Sequence, residues 1–168
     1  MRIIAVAILV LVTIFLTRQD EDLPKTFPRF VTEDSERNII TEKIFFGKLT
    51  AVLLWTDDES CLKVLSGLEE IADELPPDFQ IIGLIGKLNL DAEKFSSIPQ
   101  LKVNDDFAPL LRKIKFVPAV IFVDSDGKLI TPPMFVTDAK FLLRELVRLS
   151  EKDSPQVKAL NSLQKTFW

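Results

Sequence analysis

Histidine is absent from this sequence, cysteine occurs once, as Cys61, and basic residues do not outnumber acidic ones. Without histidine there is no imidazole general acid or base, no Cys–His nucleophilic pair and no zinc site of the usual kind. A lone cysteine forbids an intramolecular disulfide. A formal net charge of -4 supplies no basic field, which argues against nucleic acid as a partner. Internal repeats and low-complexity tracts are missing too. What is present is apolar content: 47% hydrophobic residues and 13 Phe in 168 residues are enough for one domain with a sizeable core.

The chain begins with Arg2 and then IIAVAILVLVTIFLT, uncharged until Arg18. That run has the length of a secretory apolar region and is shorter than the roughly 20 residues that span a bilayer comfortably. Ala5 and Ala7 lie too early for a cleavage site, and LTRQD does not read A-x-A. Residues 1–17 therefore read as an uncleaved signal anchor, with a cleaved signal peptide as the alternative. A run apolar on all faces at the N-terminus argues against a buried core helix. Arg2 precedes the run and Asp20, Glu21 and Asp22 follow it. The positive-inside rule then places the domain outside the cytoplasmic membrane on a single pass, or makes it secreted or periplasmic after cleavage. Residues 18–29, charged and carrying Pro24 and Pro28, read as a linker. Residues 30–151 form the domain, and 152–168 read as a C-terminal tail with a frayed end.

Within the domain, FVTEDSERNIITEKIFF (30–46) predicts a short hairpin and then a turn or short helix. Residues 50–55 predict a buried strand. Leu62, Leu65, Leu68, Ile71, Ala72 and Leu75 share one helical face, and Pro76-Pro77 ends that helix. Thr56 with Glu59 has capping-box spacing, and Asp58 competes as the cap. FQIIGLI (79–85) predicts a buried parallel strand. Residues 86–103 look irregular, and 106–114 predict a short helix. VPAVIFV (117–123) predicts a strand, and the D-S-D-G turn at 124–127 predicts an antiparallel hairpin returning through 128–131. Thr137 or Asp138 caps a last helix with Phe141, Leu142, Leu146 and Leu149 inward.

The chemistry concentrates in Ala51 to Leu65, AVLLWTDDESCLKVL, a strand, a polar turn and a helix start. A helix N-terminus favours a thiolate, because unpaired N–H groups and the dipole stabilise the charge. Asp57, Asp58 and Glu59 stand just before Cys61 and oppose ionisation. Cys61 reads either as a reactive thiol, able to form mixed disulfides or to link two chains, or as a small hydrophobe under the first helix turn. The acids read as a helix start favoured by the dipole. Consecutive helix positions do not face one another, which argues against a shared metal.

The order strand, helix, strand, helix, hairpin, helix resembles the thioredoxin fold, an α/β architecture with a central mixed β-sheet flanked by helices. The closer resemblance is to the membrane-tethered thiol–disulfide oxidoreductases of the TlpA/ResA type, within the redoxins. LPKTFPRF resembles the Pro- and Phe-rich entry of that family, and Gly47-Lys48 its GK before an apolar strand. Ala51 to Leu65 aligns without a gap on V-V-F-W-A-T-W-C-P-P-C-I-K-E-L. Phe116-Val117-Pro118 with AVIFVDSDGKLI resembles V-P-T-x-F-L-I-D-x-D-G-K-I. In that register Cys61 falls on the resolving cysteine, Asp58 on the nucleophilic one and Asp57 on the adjacent Trp, so C-x-x-C reads D-E-S-C. The resemblance implies a cis-Pro118 loop facing the turn, and a groove from Trp55 and Asp57 to Val117 and Pro118 that receives an extended protein or peptide. It implies neither a cofactor nor a metal. Two functions follow: a binding or assembly module that has lost dithiol turnover, or an oxidoreductase working through Cys61 with a partner's thiol.

Overall fold

The computed structural model of the chain describes residues 24–34, 37–85, 95–150 and 163. The expected anchor at 1–17, the irregular stretch at 86–94 and the tail at 152–168, Leu163 apart, lie outside the described residues. Leu163 is helical and buried. Among the described residues no helix is long and apolar enough to cross a membrane.

A two-stranded antiparallel hairpin opens the domain, β1 (Val31–Glu33) with β2 (Ile39–Thr41), followed by a 3-10 turn at Glu42–Phe45. The main sheet holds β3 (Leu49–Trp55), β4 (Phe79–Ile85), β5 (Gln100–Lys102), β6 (Ala119–Val123) and β7 (Met134–Phe135). Their spatial order is β5-β4-β3-β6-β7. β4 runs parallel to β3 and to β5, while β6 is antiparallel to β3 and to β7. Helices α1 (Glu59–Ala72), α2 (Ala108–Leu111) and α3 (Ala139–Leu149) complete the order.

β3 and β6 sit inside the sheet with both faces covered, which is why they are apolar without alternation. Odd-numbered side chains of β3, including Leu53 and Trp55, pack with Cys61, Leu65 and Leu68 of α1 and Leu142 and Leu146 of α3. Its even-numbered Val52 and Leu54 pack on the other face with Phe27, Phe30, Phe45, Phe107 and Leu110. The mixed sheet with helices on both faces is the arrangement the sequence led us to expect.

Three local expectations need correction. Lys128 to Thr131 does not form the partner strand of β6. The D-S-D-G turn reverses the chain, with Asp124 Oδ1 accepting from the Asp126 and Lys128 N–H groups at 2.9 and 2.8 Å and Gly127 at a φ of 80°. The return is antiparallel as expected but brief: one bridge, Val123 with Leu129, flanked by the Asp124 N–H donating to the Lys128 carbonyl and the Ile130 N–H to the Phe122 carbonyl, both at 2.9 Å. The Phe122 N–H then goes to the Thr131 hydroxyl at 3.2 Å, and Pro132-Pro133 interrupts the path. Pairing resumes only at β7. Secondly, 86–103 holds a strand, β5, with Gly83 donating to the Pro99 carbonyl at 2.9 Å. Lastly, part of the expected linker packs with the domain. Phe27 is buried, its N–H donates to the Gly127 carbonyl at 2.9 Å, and Thr26 bridges Lys128.

Candidate functional site

β3 carries the chain to the edge of its sheet layer at Trp55, and the turn Thr56–Asp58 feeds α1. Asp58, extended at φ -79° and ψ 157°, caps the helix, its Oδ1 accepting from the Cys61 N–H at 3.0 Å. Thr56 does not cap. Its hydroxyl donates to Asp58 Oδ2, and the Ser60 hydroxyl donates to Asp58 Oδ1. The Cys61 sulfur lies 3.4 Å from Asp58 Oδ2 and 3.8 Å from Thr56 Oγ1. The carboxylate of Asp58 thus gathers the Thr56 and Ser60 hydroxyls and the Cys61 N–H.

The two titratable groups are driven apart. Hydrogen bonds from Ser60, Thr56 and the Cys61 N–H hold the Asp58 carboxyl well below the usual carboxylate range. Burial pushes the Cys61 thiol up, and the Asp58 charge adds to that. Cys61 is a neutral thiol within the α1 core, with no surface of its own.

The antiparallel register of β3 on β6 ends with Leu54 opposite Ala119. Continued one and two residues, it sets Trp55 against Pro118 and Thr56 against Val117. The Val117–Pro118 peptide bond is cis, as the resemblance implied. The Pro118 carbonyl is taken by the Val136 N–H at 3.0 Å. A cavity of about 200 Å3 joins the two segments, with Trp55, Thr56 and Val117 among its walls. Asp57 is exposed beside the turn. The fold therefore brings Trp55, Asp57, Asp58, Cys61, Val117 and Pro118 to one end of the sheet.

Trp55 offers the groove little of its ring. The indole is 1% exposed, and its Nε1–H donates to Gln100 Oε1 at 3.0 Å. Period-two alternation sends the side chain to the α1 face, edge-on to Phe95. Gln100, itself 2% exposed, was not singled out by sequence reasoning. A lone amide between Pro99 and Leu101 gives no periodic signal. Among the described residues no cluster of His, Cys, Asp or Glu is placed to hold a metal.

No family model matches the chain, and no curated protein matches it in sequence. Solved structures do. The pneumococcal exposed lipoprotein thioredoxin Etrx1 of Streptococcus pneumoniae is 18% identical with a TM-score of 0.61, over 72% of this chain and 99% of that one. StoA of Bacillus subtilis is 16% identical with a TM-score of 0.57, over 71% of this chain and 96% of StoA. The thioredoxin domain of a thiol-disulfide oxidoreductase from Bacteroides vulgatus is 19% identical with a TM-score of 0.54, over 74% and 97%. Almost the whole length of each neighbour is matched, with the mixed sheet and flanking helices in common: the chain has the thioredoxin-like α/β fold.

Proposed function

We propose that this chain is a thioredoxin-like protein of the TlpA redoxin type that has lost dithiol turnover and works as a binding or assembly module. In this reading residues 1–17 tether it to the membrane with the domain on the extracytoplasmic side. An extended segment of a protein partner lies in the groove between Trp55–Asp58 and Val117–Pro118. The observation that carries the reading is Asp58. It occupies the N-cap, its carboxylate is engaged by Ser60, Thr56 and the Cys61 N–H, and the only thiol in the chain lies 3.4 Å behind it. A carboxylate cannot attack a disulfide to give a mixed disulfide, and a buried neutral thiol is a poor nucleophile. The binding side of the reading is supported by Val117. It lies beyond both the β3–β6 and β6–β7 ladders, so its N–H and carbonyl take no part in either. Main-chain groups at a sheet margin suit an extended peptide.

Reduction of insulin disulfides with dithiothreitol present tests the loss of turnover. The parent should match the no-protein control. Asp58→Cys restores C-x-x-C at the first turn of α1 and should exceed that control, though weakly, because Asp57 and Glu59 still oppose thiolate formation. An active parent would instead favour an oxidoreductase working through Cys61 with an external thiol.

A further inference from the structure

The cavity beside Val117 lies on the sheet face opposite α1 and Cys61. Its walls include Leu54 and Leu84, at the ends of β3 and β4, and Leu111, Ile114 and Val117 from α2 onward. Trp55 and Thr56 complete a lining that is almost wholly apolar. An apolar cavity of about 150 Å3 is dry and takes benzene. At about 200 Å3 this one has room for a single Leu- or Phe-sized group, and not for a lipid tail.

The apolar surface continues outside the cavity. Phe116 and Phe135 form an edge-to-face pair at 5.9 Å, yet stay 42% and 48% exposed. They adjoin Val117 and Val136, on either side of the Pro118 carbonyl contact. The flanks carry opposite charge. Asp57 and Glu59 are exposed at the start of α1, whereas Arg112 and Lys115 are exposed just after α2. Flanks of opposite sign complement a segment carrying both signs, as polypeptides do, and disfavour a purely anionic ligand.

We propose that the cavity is a side-chain specificity pocket: it takes one Leu- or Phe-sized residue of an extended partner segment that carries both a basic and an acidic residue. This rests on the peptide groove proposed above and names what the groove selects. Three capped heptapeptides of one scaffold, each with one Lys and one Glu, and with Ala, Leu or Phe at the centre, are titrated against the full chain. Burying the larger side chain should tighten binding at least about tenfold over Ala. Ile114→Trp, at a half-buried wall position, fills the cavity and should shrink that preference below about threefold; Leu111→Phe serves if Ile114→Trp does not fold. Equal affinity for all three peptides overturns the pocket and leaves the groove standing. An undiminished preference in the filled variant also overturns it, because the anchor then lies elsewhere. Failure of every peptide to bind at millimolar concentration removes the groove itself, and the pocket with it.

Discussion

Gly83→Ala should destabilise this protein by about 1–3 kcal/mol, although it adds one methyl group to a strand. Gly83 sits in β4, between Leu53 of β3 and Gln100 of β5. A Cβ built on it would run into Gln100 Oε1 and lie 2.7 Å from Cδ, closer than such contacts occur, so the amide must move. An amide at the end of a flexible side chain could swing aside cheaply on a surface. Here Gln100 is 2% exposed, and its Oε1 is the partner of the Trp55 indole N–H. Displacing it leaves a buried donor unpaired, at about 1–3 kcal/mol. The entropy gained on replacing glycine returns only about 0.4–1 kcal/mol. Guanidinium unfolding, followed by tryptophan fluorescence in a Trp168→Phe background so that Trp55 is the sole reporter, measures the loss. The Gln100→Ala background isolates the cause: with the amide gone, Gly83→Ala should cost less than about 0.5 kcal/mol, and the difference between backgrounds is the coupling. A Gly83→Ala variant within about 0.5 kcal/mol of the parent, or an equal cost in both backgrounds, would refute the reasoning.

Two further outcomes follow from Asp58 and Cys61. Iodoacetamide at pH 8 should alkylate Cys61 in the folded chain at least about tenfold more slowly than in the guanidinium-unfolded chain, because the thiol is buried and burial raises its pKa, suppressing the thiolate; equal rates would mean an accessible thiol. Asp58→Ala removes the α1 cap and should cost about 0.5–2 kcal/mol at pH 7. Since the folded-state carboxyl is held below its unfolded value, that stability is fully present above the unfolded carboxyl pKa of about 4 and is lost as pH falls beneath it. The gap between parent and variant in denaturant titrations should therefore narrow from pH 7 to pH 3, and a constant or widening gap would contradict the assignment.

Segments whose structure follows from neighbouring residues were legible in the sequence. β3, the turn and α1 carry a continuous apolar run, a short polar turn and a helical stripe, so strand, helix start and buried face could be read from adjoining residues, Ala51 to Leu75. α3 was legible for the same reason, with a cap at Thr137 or Asp138, which the structure gives to Asp138, and Leu142 and Leu146 on its inner face. The choice between Thr56 and Asp58 as cap was not. Both residues suit the role, and only the placement of the Ser60 and Thr56 hydroxyls around Asp58 decided it. β5 is three residues long and alternates with nothing; it exists because β4 offers it an unpaired edge. β7 displaced the expected return strand because Thr131 answers Phe122 through its hydroxyl and Pro132-Pro133 supplies no N–H.

The site divides in the same way. The sequence by itself determined that one thiol exists, that acids precede it, and that a Val-Pro pair opens a later strand. Covalent inventory and local pattern survive any folding. Tertiary structure alone decided that Trp55 turns away from the groove toward Gln100, that Cys61 is buried behind Asp58, and that an apolar cavity opens beside Val117. The Trp55–Gln100 bond, the α3 leucines in the core with Cys61 and the cavity walls each join residues far apart in the chain, and burial, hydrogen-bond partners and empty volume are properties of the packed whole that no single stretch of sequence contains.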